Sequence, residues 1–179
     1  VKLYPKVEEG NYLTFDANGG SYTEPEFVSK SGVTSAPANP ERAGYTFDHW
    51  EYADGTKFEF GMGVIADTTV KAVWKADKTK YTVIHWQQNA NDDNYSYEES
   101  NTKEGISGEM TAATSKSYDG FKAANTITQK TINGDGSTIV NVYYDRETYS
   151  VKFYKYKYKH FSSGWELMSD LTIKAKYGE

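Results

Sequence analysis

The chain repeats itself at a spacing just short of seventy residues, and that periodicity limits its fold more than any other feature. Three segments open alike: Tyr12–Asp16 (YLTFD), Tyr81–His85 (YTVIH) and Tyr149–Phe153 (YSVKF), 69 and 68 residues apart. They also close alike, at Thr69–Trp74, Thr138–Tyr143 and Leu171–Tyr177, the first two again 69 apart. A looser landmark pairs Gly44-Tyr45 with Gly120-Phe121, 76 apart, which places an insertion in the second unit. Units this small have little apolar surface to bury, so each must be held by a few large side chains.

The repeated segments alternate. In Thr69–Trp74, residues Val70, Ala72 and Trp74 share one face; in 138–144, Ile139, Asn141 and Tyr143 oppose Val140, Val142 and Tyr144. A period of two in Val, Ile, Thr and Tyr predicts strands. Asn18-Gly19-Gly20, Asp54-Gly55 and Asn133-Gly134-Asp135-Gly136 supply turn chemistry between them. Helical signals are confined to Glu109–Thr114, enough for one or two turns. The expected class is α+β but predominantly β, built of tandem small modules.

Charged segments mark the expected joints, Lys75–Lys80 and Asp145–Thr148. The expected organisation is a lead-in strand or linker at 1–11, a module at 12–76, a second at 77–147 and a partial repeat at 148–179 that leans on the second. Residues 1–80 carry a net charge of −3, residues 81–146 carry −4, and residues 147–179 carry +2. The chain opens at Val1 without an initiator methionine, as expected of a piece of a longer protein.

Composition narrows the function. Twenty Lys and Arg against 25 Asp and Glu, with no basic run, argue against nucleic-acid binding. No apolar stretch reaches the ~18 residues of a membrane span. With no Cys, disulfides and thiolate chemistry drop out. Aromatics at 16% must supply the cores instead.

Candidate sites are few. His49, His85 and His160 fall in different units and in no metal-binding or nucleophile spacing. The carboxylate pairs Glu8/Glu9, Asp92/Asp93 and Glu98/Glu99 read as solvated faces. Asn91–Asn94 and Asn133–Gly136 offer oxygen ligands but lack the full calcium-loop spacing. A Lys–Asn bond between Lys152 and Asn141 is a further option, detectable as the loss of one ammonia from the intact mass. Trp50 and Trp74 occupy recurrent positions and read as core. Trp86 and Trp165 are less determined. In Phe153–Lys159, Tyr154, Tyr156 and Tyr158 fall on one strand face and the lysines on the other, as in a guarded edge strand or a cationic ribbon. Candidate ligand contacts are Trp86, Tyr95, Tyr97, Tyr154, Tyr156, Tyr158 and Trp165, with the polar Gln87–Ser100 stretch expected as a long contact loop. No residue set is expected to be catalytic, to bind a cofactor or to hold a metal.

The string YLTFDANGG, the Pro-containing stretch after it, AGYTFDHWEYADGTKF and IADTTVKAVWKA resemble the Listeria–Bacteroides repeat, also called the internalin B-repeat, over about residues 12–76. His49 departs from the Gly more common there. Residues 80–147, with YTVIHW, the Tyr118–Phe121 corner and STIVNVYYDRE, resemble MucBP-type modules of adhesins. The resemblance implies β-grasp-like (ubiquitin-like) modules on a secreted, wall-anchored bacterial protein. It implies a non-enzymatic spacer, stalk or adhesive region, or direct binding by the second module. The expected partners are a host glycan, a host surface protein and neighbouring repeats.

Overall fold

A computed structural model describes residues 7–179. The first six residues of the expected lead-in lie outside that range. The fold is nearly all β, with 50% of residues in strands and 1% in helix. The first sheet holds β1 (Gly10–Asp16), β2 (Glu26–Ser29), β3 (Tyr45–Glu51) and β4 (Thr68–Ala76), in the order β2-β1-β4-β3. The second holds β5 (Lys78–Gln88), β6 (Tyr95–Ile106), β7 (Phe121–Ala123) and β8 (Ile139–Arg146), in the order β6-β5-β8-β7. The two orders are the same. The central pairs, β1 with β4 and β5 with β8, are both parallel.

By its internal contacts the chain forms two units. The first runs to Thr79 and includes Glu104–Glu109 and Thr131–Ser137. The second comprises Lys80–Lys103, Met110–Lys130 and Thr138–Glu179.

The first unit is held by rings. Leu13 and Phe15 of β1, Val28 of β2, Trp50 of β3, and Val70 and Ala72 of β4 enclose Phe58, with Phe47, Tyr52, Phe60, Val64 and Trp74 packed around them. Phe15 meets Trp50 at 4.9 Å between centroids and Phe47 meets Trp74 at 5.7 Å. Such rings each remove roughly 150–250 Å² from water, the main stabilisation open to a Cys-free unit. The Trp74 indole N–H donates to Ala17 O at 3.0 Å, so its polar atom is satisfied. Trp50 thus occupies the core position expected of it, and Trp74, partly buried, packs against that core. Around His49 the β3–β4 register shifts between Phe47 and His49.

The second unit mixes apolar and polar aromatic groups. Tyr81, Val83 and His85 of β5 face Val140, Val142 and Tyr144 of β8, all buried. Asn101 Oδ1 lies 2.9 Å from His85 Nε2, so that nitrogen carries the proton. Nδ1 then accepts from the Tyr144 hydroxyl at 2.8 Å, and the same hydroxyl accepts from Lys116 N–H at 2.8 Å. Every polar atom in this chain of bonds has a partner, as burial demands. The expected helix at Glu109–Thr114 is absent. The amides of Thr111, Ala112 and Ala113 donate instead to Lys130 O, the Tyr81 hydroxyl and Gln129 Oε1.

Both units turn the same corner. Gly44 and Gly120 have φ of 72° and 76°, the left-handed region, and each is followed by the start of β3 or β7. Gly44 O accepts from Asp77 N–H at 2.9 Å, and Gly120 O accepts from Glu147 N–H at 2.8 Å. The expected joints therefore shrink to single tied residues. Asp77 stands alone between β4 and β5, and Glu147 between β8 and β9 (Thr148–Val151). A Cβ on Gly44 would strike Ser107 and Gly134, and one on Gly120 would strike the Tyr177 ring.

These corners correct the spacing. Asp77 matches Glu147, 70 residues on, so Val70 matches Val140 and Trp74 matches the buried Tyr144. Phe15 pairs with Val70, and Val83 with Val140, so Phe15 matches Val83, 68 residues on. The apparent spacing of 69 equates exposed Tyr12 with buried Tyr81, because an odd slip exchanges the faces of a strand.

Beyond β9 lie the hairpin β10 (Tyr154–Lys159) and β11 (Ser162–Leu167), a 3-10 turn at Ser169–Leu171, and β12 (Ile173–Lys176). β9 and β12 were the expected opening and closing strands of a third repeat, yet they pair antiparallel. The hairpin between them reverses the chain without the long crossover that a parallel pair needs. Within the second unit, Tyr177 packs on Phe121 at 6.2 Å, and Arg146 Nη1 donates to Tyr177 O at 2.6 Å.

Gly44→Ala and Gly120→Ala are each expected to cost about 2–4 kcal/mol, the sum of left-handed strain and a steric clash. Gly55→Ala, at φ 83° with open space around it, is expected to lose only the strain, about 1–2 kcal/mol. Urea denaturation of the three variants checks the ranking.

Candidate functional site

The sequence-predicted contact residues assemble into two separate aromatic faces. On the second sheet, alternation turns Ile84 and Trp86 of β5 to one side with Ile139, Asn141 and Tyr143 of β8. Ile84 lies opposite Asn141 and Trp86 opposite Tyr143. The Trp86 and Tyr143 rings stack at 6.4 Å with 21° between their planes. Tyr97 meets Trp86 edge-on at 6.2 Å, and Tyr95 meets Tyr143 at 5.0 Å. Trp86, Tyr95 and Tyr97 are thus brought together. Tyr143 completes the cluster; its outward alternation with Ile139 and Asn141 was the sequence signal for it.

Polar atoms brace this face. Trp86 Nε1–H donates to Asn141 Oδ1 at 2.9 Å. The Tyr95 hydroxyl donates to Asp145 Oδ1 at 2.5 Å, and that bond pushes the Tyr95 phenol up to about 12. The result is a ring platform on an open sheet surface, edged by an amide and a carboxylate. The exposed ring faces of such a cluster can stack against the apolar face of a sugar or against a planar group.

The Gln87–Ser100 stretch is shorter as a loop than expected. β5 runs on to Gln88 and β6 begins at Tyr95. Inside the remaining turn, Asp92 Oδ1 accepts from Asn94 N–H at 2.7 Å and from Asn89 Nδ2 at 2.9 Å. Those two bonds, that from Asn89 first, hold the Asp92 carboxyl below its ordinary value. Asp135 is lowered in the same way by Ser137. Turn hydrogen bonds therefore occupy both segments that offered calcium ligands. Among the described residues, no three His, Asp or Glu converge to hold a metal.

The second face is the β10–β11 hairpin. Its register sets Tyr154 against Leu167, Tyr156 against Trp165 and Tyr158 against Ser163 on one side. On the other side Lys155 lies opposite Glu166, and Lys157 reaches Glu166 at 3.2 Å. Tyr156 and Trp165 meet edge-on at 5.5 Å. Rings and lysines are on opposite faces, so a ligand stacked on the rings does not meet the lysines.

The remaining candidates serve local structure. His49 Nδ1 lies 2.7 Å from Asp48, and the His160 ring packs on Phe161 at 5.3 Å. Glu9 pairs with Lys30, Asp93 with Lys176 at 2.9 Å, and Glu99 with Lys116 at 2.8 Å. The bonds from Lys116 and then the Tyr118 hydroxyl lower the Glu99 carboxyl. Burial first and Glu99 second raise the Tyr118 phenol. Asn141 spends its side-chain oxygen on Trp86, and Lys152 is exposed.

Two outcomes follow from these bonds. Tyr144→Phe leaves the Lys116 amide and His85 Nδ1 without their shared partner and is expected to cost about 1–3 kcal/mol in chemical denaturation. Tyr95 is the better acid in the unfolded chain, where its pKa is about 10. Its raised folded value means that the stabilisation is complete below that pH and is lost as pH rises from about 10 through about 12. Ultraviolet titration of tyrosinate is expected to show several late phenols, of which that of Tyr95 moves earlier in Asp145→Asn.

Residues 12–73 match the family model of the Listeria-Bacteroides repeat domain. No curated protein matches the chain. The matched segment runs from Tyr12 of β1 to Val73 of β4 and contains the ring core of the first unit. The first unit thus carries, over residues 12–73, the Listeria-Bacteroides repeat that its residues resemble.

Proposed function

We propose that this chain is a non-enzymatic repeat segment of an extracellular bacterial surface protein, acting as a spacer or as part of an adhesive region. Listeria-Bacteroides repeats are typical of bacterial surface proteins. The observation that carries the reading is the same four-strand order, with a parallel central pair, built twice in succession. Repetition of a small sheet sets distance along a chain and needs no reactive group. A β-grasp-like module fits the two sheets, and a MucBP-like identity for residues 77–147 fits the strand pattern there. Wall anchoring of the parent protein belongs to the same reading.

A second reading has its own observation. Trp86, Tyr95, Tyr97 and Tyr143 form a ring platform on the open side of the second sheet, braced by Asn141 and Asp145. That face suits a host glycan or a host surface protein, through stacking on the Trp86 ring.

Antibodies raised against the segment are expected to label intact cells of the source bacterium. Labelling only after lysis overturns the extracellular reading. A glycan array then separates the two roles. Binding that Trp86→Ala reduces at least tenfold supports direct contact, and silence at high protein concentration leaves the spacer role.

A further inference from the structure

We propose that the ring-bearing face of the β10–β11 hairpin is a homotypic docking surface, covered by the same face of a second copy of this chain. The proposal is independent of any glycan bound at Trp86. Tyr154, Tyr156, Tyr158, Trp165 and Leu167 share one side of the two-stranded ribbon. All five are exposed, Tyr158 at 80% and Trp165 at 72%. A contiguous apolar surface of this kind is uncommon on a protein without a partner for it. A two-stranded hairpin is also marginal in water by itself and gains its order when a face is covered.

Charge and area select the occupant. The basic side chains Lys155 and Lys157 lie on the opposite face, Lys157 paired with Glu166. An anionic partner seated on the rings would miss them. Two copies of the ring face meet with no like charges between them, in a two-fold arrangement that presents the same patch from both sides. Four rings of roughly 150–250 Å², more than half exposed, offer roughly 500 Å² per copy. The pair then buries about 1,000 Å², the lower bound of a specific interface, which makes the association weak and reversible. Ring stacking across the dyad suits a face whose own Tyr156 and Trp165 already meet edge-on.

Sedimentation velocity of the full chain from roughly 1 µM to roughly 1 mM, spanning the range of weak association, tests the proposal. The average mass is expected to rise with concentration from 20.2 kDa toward twice that value. Tyr158→Glu puts a carboxylate into the apolar face of each copy but leaves the Tyr156–Trp165 contact in place; it is expected to hold the chain monomeric. Lys155→Ser, on the opposite face, is expected to behave as the parent. A parent chain monomeric throughout the range overturns the proposal, and so does a dimer that survives Tyr158→Glu. A dimer abolished by Trp86→Ala but not by Tyr158→Glu assigns the contact to the second sheet and overturns it as well.

Discussion

Parallel pairing of the first and fourth strands organises each unit. Phe15 opposite Val70, and Val83 opposite Val140, set the register that decides which side chains turn inward. The remaining strands add to the outside of that pair, β2 and β6 on one edge, β3 and β7 on the other. A parallel pair cannot close through a tight hairpin. Most of each unit's length is therefore spent crossing from one central strand to the other. The Gly44 and Gly120 corners mark where that crossing re-enters the sheet, and a hydrogen bond from the residue just after the last strand ties each corner down.

The same frame is filled in two chemically different ways. The first unit packs Phe15, Phe47, Trp50 and Phe58 against one another and satisfies the Trp74 indole at a backbone carbonyl. The second places His85 and Tyr144 where the first has Ala17 and Trp74, and joins them to Asn101 and Lys116 by hydrogen bonds. Ring burial tolerates modest changes of shape, whereas a buried polar chain depends on every member being present. The second unit is accordingly the more specific of the two in the partners its core residues require.

Much of this was legible in the residues. Alternation identified the strand faces of Thr69–Trp74 and 138–144, and the glycines at 19, 55 and 136 stand in the left-handed conformation that their turns need. The apparent period differs from the structural one by one residue in each strand, because the similar letters Tyr12 and Tyr81 lie on opposite faces. Local composition cannot separate a slip of one from a true repeat; the hydrogen bonds of Asp77 and Glu147 and the registers of the central strands do so. The partial repeat at 148–179 departs from the first two for a related reason. Its two end segments have strand propensity, but pairing direction depends on the hairpin between them. In the candidate site, Trp86, Tyr95 and Tyr97 were identifiable as residues, while their clustering with Tyr143 required the β5–β8 register.

The central parallel pair also governs how a unit bears a load. In the first unit the chain enters β1 at Gly10 and leaves β4 at Ala76, and because the two strands run in the same direction those points lie at opposite ends of the ladder. Tension applied along the polypeptide slides β1 past β4 lengthwise, so the bonds from Leu13–Thr68 to Asp16–Lys71 resist together instead of opening one at a time. The same pairing that rules out a tight hairpin closure gives these sheets strength under traction along the chain.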